Sequence, residues 1–137
     1  MENLKYIRLA GIFLLLLAQN QVHAKNDKFR LTLRDNPSHS VVIGWNQVSG
    51  SNPVVYYDTF DHGTKWEDYA FVAKPDREVS FAEMDNKFVR LNQLSPDTHY
   101  YFIIKDSEGI SKRYWFKTAP GDPNDRISLI AGGDSRN

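Results

Sequence analysis

Short runs of alternating apolar and polar residues, separated by clusters of turn formers, fill the chain from about residue 28 to residue 118. Phe29-Arg30-Leu31-Thr32-Leu33-Arg34 repeats with period two, the pattern of a strand with one buried and one wet face. Asp35-Asn36-Pro37-Ser38 is a turn, and Val41-Val42-Ile43-Gly44-Trp45 follows as a strand with Val41, Ile43 and Trp45 on one face. Ser49-Gly50-Ser51-Asn52-Pro53 turns the chain into Val54-Val55-Tyr56-Tyr57. The polar, aromatic stretch 58–76 is expected to be a loop carrying one or two edge strands around Trp66 to Val72. Phe88-Val89-Arg90-Leu91 is another strand, and Tyr100-Tyr101-Phe102-Ile103-Ile104-Lys105 is rich in β-formers. Asp106-Ser107-Glu108-Gly109 has the composition of a hairpin connection, with Gly109 available for a positive φ, and Arg113 to Thr118 pairs back. After the first two dozen residues no segment holds a helical period. The pattern predicts an all-β sandwich.

The two ends of the chain depart from this pattern. Lys5 and Arg8 precede the apolar run Leu9 to Ala18, and Val22-His23-Ala24 supplies a small-x-small site. Residues 1–24 are therefore expected to be a signal peptide cleaved after Ala24. The apolar run is about half of the roughly 20 residues a spanning helix needs, so export to the periplasm or medium is expected, without a retained membrane anchor. At the other end, Ala119-Pro120-Gly121-Asp122-Pro123-Asn124-Asp125 has the stiff, polar composition of a domain boundary. This places one domain at 25–119 and a linker at 120–125. Beyond it, Ser128-Leu129-Ile130-Ala131 runs into Gly132-Gly133-Asp134. Open α/β sheets commonly hold ligands at the carboxyl edge of such strands. Residues 126–137 thus read as the first strand of a second, α/β domain.

Composition narrows the chemistry. The sequence has 17 basic and 17 acidic side chains, and the leader holds Lys5, Arg8 and Glu2, so the remainder is one negative charge from neutral. Neither nucleic acid nor an anionic membrane is expected as a partner. The absence of cysteine excludes disulfides, zinc–thiolate sites and a thiol nucleophile. His39, His62 and His99 lie scattered in or beside turns and are expected to be structural. Among the many aromatic residues, Tyr56, Tyr101 and Trp115 are expected to point outward and to cover a neighbouring domain.

The spacing Leu91-x-x-Leu94-x-Pro96-x-Thr98-x-Tyr100-x-Phe102 resembles the E–F region of fibronectin type III-like domains, whose tyrosine corner Tyr100 would form. Trp45 stands where those domains place a core tryptophan. This sandwich, then Phe116-Lys117-Thr118-Ala119-Pro120, a short linker and Ile130-Ala131-Gly132-Gly133-Asp134, resembles in its order the purple acid phosphatases and their bacterial relatives. The resemblance implies a fibronectin type III-like sandwich followed by the C-terminal stub of an α/β, calcineurin-like metallophosphoesterase domain. Gly133 and Asp134 match the Gly-Asp of the first catalytic motif, while Arg136 replaces its final glycine. It further implies hydrolysis of phosphate monoesters at a dinuclear metal centre, iron with zinc, manganese or iron, with Asp134 as one ligand in the complete enzyme. The family's second Gly-Asp, Gly-Asn-His and Gly-His-x-His segments do not occur after Asp134, so these 137 residues alone are expected to be an inactive portion of a longer enzyme, without catalytic residues or cofactor of their own. The sandwich is expected to pack on the catalytic domain. Two other readings stay open. One is a free-standing fibronectin type III-like binding or adhesion module, against which the apolar segment Ile127 to Ala131 counts. The other is an alkaline phosphodiesterase with a similar N-terminal domain.

Overall fold

The computed structural model describes residues 24–127. The expected leader, but for Ala24, and the Gly133-Asp134 motif with its proposed ligand Asp134 lie outside the described residues. Eight strands make up the described chain: β1 (Asn26–Thr32), β2 (Val41–Gln47), β3 (Val54–Asp58), β4 (Phe71–Ala73), β5 (Arg77–Phe81), β6 (Met84–Leu91), β7 (His99–Lys105) and β8 (Tyr114–Lys117). They form two antiparallel sheets, ordered β1-β2-β6-β5 and β4-β3-β7-β8. The expected all-β sandwich is what forms.

The core lies between the sheets because the two periodic strands meet there. Val41, Ile43 and Trp45 of β2 face Val55 of β3 and Tyr100, Phe102 and Ile104 of β7, with Val89, Leu91, Leu94 and Phe116 completing the cluster. Trp45, Val55, Val89 and Ile104 have no exposed surface, and burial of each such side chain contributes about 1.5–3 kcal/mol. The Trp45 indole would be costly to bury unpaired, and its Nε1–H donates to Gln47 Oε1 at 2.7 Å. Gln47 Nε2 in turn donates to Asp106 Oδ2 at 2.6 Å, tying the first sheet to the β7–β8 turn. That turn is closed by Asp106, whose Oδ1 accepts from the Glu108 and Gly109 amides at 2.8 and 3.0 Å. Gly50 opposite it has φ 81°, and a Cβ there would come within 2.9 Å of the Asp106 carboxylate. Only glycine suits both constraints.

Two local expectations are corrected, and one hairpin was not expected. The first strand begins at Asn26 and ends at Thr32, so Leu33 lies outside it and is 62% exposed. An irregularity between Asp27 and Arg30, with Lys28 at φ 51°, shifts the register of this edge strand. Trp66, expected near an edge strand, sits in a 3-10 turn (Trp66–Asp68), and only Phe71–Ala73 pairs with β3. The hairpin β5–β6 was hidden by its charged sequence. Its two-residue connection is Ala82-Glu83, at φ 47° and 63°, flanked by the Phe81–Met84 pair. Such left-handed pairs usually carry asparagine and glycine, and neither is present to signal the turn.

Candidate functional site

The end of the sandwich where the chain leaves β8 is built from three short segments held by neutral hydrogen bonds and by one exposed ion pair, Lys117 with Asp97. Pro96 follows Ser95 in the connection between β6 and β7, and the Ser95 amide donates to Tyr100 Oη at 2.9 Å. This is the tyrosine corner expected from the spacing, with Leu91, Leu94 and Tyr100 all buried. Thr118, just past β8, is also buried. Its hydroxyl donates to Ser95 O at 2.6 Å and accepts from the Thr98 amide at 2.9 Å.

The exit is tied down further along. Ala119 N–H donates to Pro37 O at 3.1 Å, and Asp97 N–H donates to Ala119 O at 3.0 Å. Ser38 Oγ, held in the turn before β2, donates to Pro120 O at 2.6 Å. Gly121 lies against Pro96, where a Cβ would sit 3.2 Å from the proline ring. The first residues of the expected linker are therefore part of the sandwich. The chain leaves it in a direction fixed by Ser38, Pro96 and Thr118.

Close to this end, the loop after β3 is organised by one carboxylate. Asp58 is buried, and its Oδ1 accepts from the Thr59 and Phe60 amides at 2.6 and 3.3 Å. Its Oδ2 accepts from the Ala70 amide at 3.0 Å and lies 3.3 Å from His62 Nε2. Burial works to raise the Asp58 pKa, but the amide donors of Ala70, Phe60 and Thr59, with His62, outweigh it and hold it below the usual carboxylate value. Tyr69 closes the loop by donating to Gly63 O at 2.8 Å. Burial, aided by the Asp61 charge, pushes its phenol up to about 12.

The histidines do not converge. His39 Nδ1 is 2.8 Å from Leu94 O, His62 serves the Asp58 loop, and His99 packs against Trp115 with ring centroids 5.3 Å apart. Among the described residues no three His, Cys, Asp or Glu side chains are grouped to hold a metal ion. The residues described here therefore do not fit a dinuclear centre.

The outward aromatic residues share one face. Register places Tyr56 opposite Ile103, and Tyr101 opposite Trp115, on the side of β4-β3-β7-β8 away from the core. Trp115 is 54% exposed. Trp66 covers Tyr56, with centroids 5.4 Å apart, and Lys105 Nζ lies 4.9 Å from the Trp66 ring. Arg113 lies 5.3 Å from the Tyr101 ring and pairs with Asp61 at 3.0 Å. The face is apolar at its centre and laced with cations at its rim.

Residues 26–118 match the family described as "Purple acid Phosphatase, N-terminal domain". No curated protein sequence matches the chain. Among solved structures, the chain is similar to the fn3 domain of human contactin 1, with 17% identity over 74% of this chain and 82% of that one, at a TM-score of 0.48. It is also similar to the third fibronectin III domain of human KIAA0343 protein, with 15% identity over 80% and 94% of the two chains and a TM-score of 0.40.

Proposed function

Since this chain belongs to the purple acid phosphatase N-terminal domain family, we propose that it is the accessory front portion of an exported, metal-dependent phosphomonoesterase. The observation that carries the reading is the family match across nearly the whole sandwich. The docked exit supports it. Neutral hydrogen bonds fix residues 118–120 on the body, which suits a domain that must hold a following domain in one orientation. In the same reading, residues 1–24 direct export and residues 126–137 begin the catalytic domain.

Asp134 would then be one ligand of a dinuclear centre of iron with zinc, manganese or iron, with the other ligands supplied by later segments. When bound, such a pair activates a water nucleophile and neutralises the phosphate ester. No step of that chemistry is assigned to residues 24–127, whose side chains do not gather as a metal site. The sandwich contributes support: the face bearing Tyr56, Tyr101 and Trp115 covers the catalytic domain. The family match does not favour a free-standing adhesion module.

The test is direct. The coding sequence beyond Asn137 is expected to supply Gly-Asp, Gly-Asn-His and Gly-His-x-His segments. The native exported protein is expected to hydrolyse p-nitrophenyl phosphate and to lose that activity with Asp134→Asn. A native protein whose intact mass ends near Asn137, without phosphatase activity, would refute the reading.

A further inference from the structure

The opposite outer face, that of β1-β2-β6-β5, carries a different feature. Gly44 on β2 leaves room for Phe88 of β6 to lie flat on the sheet, and a Cβ at residue 44 would stand 3.1 Å from the Phe88 ring. Two guanidiniums lie over that ring and leave its edge towards the recess, Arg30 Cζ at 4.9 Å and Arg77 Cζ at 5.4 Å from its centroid. Arg30 is otherwise engaged, donating to Asn86 Oδ1 at 2.8 Å and to Lys28 O at 3.1 Å. Beside Phe88 opens a recess of about 280 Å³, lined by Thr32, Arg34, Val42, Asp76, Arg77, Phe88 and Arg90.

Three arginines thus line one recess against a single lining carboxylate, Asp76. Among the described residues Arg34 and Arg77 have no carboxylate within ion-pair distance, and Arg90 reaches only Asp35, at 3.9 Å. A larger recess on the molecule, about 500 Å³, is unlike this one. It is lined by Lys87, whose ammonium is already neutralised by Glu78 at 2.7 Å and Asp85 at 3.1 Å. Converging guanidiniums repel one another unless an anion lies between them, and their planar forks suit tetrahedral oxyanions. Val42 and Phe88 give the recess an apolar floor, and its volume exceeds that of a bare phosphate or sulfate ion. An aromatic edge and arginine planes together favour a ring seated against that floor.

We propose that this recess is a binding site for a phosphate or sulfate ester carried on a ring. The oxyanion is held by Arg34, Arg77 and Arg90, and the ring lies against Val42 and the edge of the Phe88 ring. The site does not depend on the catalytic reading above, since it lies within the sandwich itself. Asp76 at its wall disfavours ligands with a second anionic group on the ring.

The experiment is an amide-resolved NMR titration of the full chain with phenyl phosphate, phenyl sulfate, inorganic phosphate and phenol. Both esters are expected to saturate with shifts centred on Thr32, Val42 and Phe88, and the tighter of the two identifies the natural oxyanion. Inorganic phosphate is expected to bind about tenfold more weakly for want of the floor, and phenol not to saturate. Arg77→Gln combined with Arg90→Gln is expected to weaken the esters at least about tenfold. Arg34→Gln, in an exposed segment after β1, is expected to weaken them several-fold without altering the fold, and it decides the matter if the double variant does not fold. Unchanged ester affinity in a folded variant, shifts elsewhere on the surface, or equal binding of phenol would overturn the proposal.

Discussion

The tyrosine corner and the Asp58 loop lie towards the same end of the sandwich and are held by opposite kinds of group. At the corner three bonds join neutral partners: Ser95 N–H to the Tyr100 hydroxyl, Thr118 Oγ1 to Ser95 O, Ser38 Oγ to Pro120 O, with only an exposed ion pair, Lys117 with Asp97, beside them. In the loop, one buried carboxylate gathers the amides of Thr59, Phe60 and Ala70 together with His62. Hydrogen bonds to a charge are stronger than neutral ones, but they fail when the charge is lost. These three bonds at the chain's exit from β8 therefore rest on groups that do not titrate near neutral or acid pH, whereas the neighbouring loop rests on a carboxylate that does.

The largest expected effect breaks the charged region. Asp58→Ala leaves three amides without their acceptor and should cost about 3 kcal/mol, read from urea unfolding, with amide exchange accelerated through residues 59–70. An exchange increase confined to the corner would contradict the assignment. Tyr100→Phe removes the corner's hydroxyl and should cost about 1–2 kcal/mol, because the Ser95 amide loses its partner while the ring still fills the core. Thr118→Val, of similar shape, should fall in the same range and additionally loosen residues 119–121.

Acid separates the two regions without mutation. The folded-state pKa of Asp58 lies below its unfolded value of about 3.8, so the folded form keeps the carboxylate ionised further into acid. Its contribution is fully present above that unfolded value and is lost as pH falls through the depressed folded value. Thermal melts should thus lose stability as pH drops below about 4, and the loss should be smaller in Asp58→Asn. The smallest expected effect is a gain. Replacing Ala82-Glu83 with Asn-Gly should stabilise the protein by about 1 kcal/mol, since both positions have left-handed backbone. A destabilised variant would show that the Ala82 and Glu83 side chains make compensating contacts.

The corner was legible in the sequence and the loop was not. Leu91, Leu94, Pro96 and Tyr100 fall within ten residues, and local spacing alone brings the Tyr100 hydroxyl back to Ser95. Asp58 reads as one more acidic residue in a polar stretch. Its role appears only when β3 ends beside the returning chain at Ala70, twelve residues on. The β5–β6 hairpin was missed because Ala82 and Glu83 carry no turn signal, and Arg77 and Glu78 mask the strand period. The arginine recess was equally hidden. Arg34, Arg77 and Arg90 are spread over 57 positions of sequence, and only the pairing of β2 with β1 and β6, and of β6 with β5, brings them to one face.

By itself the sequence determined the two-sheet class, the Trp45-centred core, the tyrosine corner and the family to which they point. These follow from period-two burial and short-range spacing, which act within a strand or across one turn. The tertiary structure alone decided how the ends of the sandwich are tied, which carboxylate became the loop's anchor, and which cations share a surface. Those depend on contacts between residues far apart in the chain, where cross-strand register sets the neighbours and burial sets the cost of leaving a polar group unpaired.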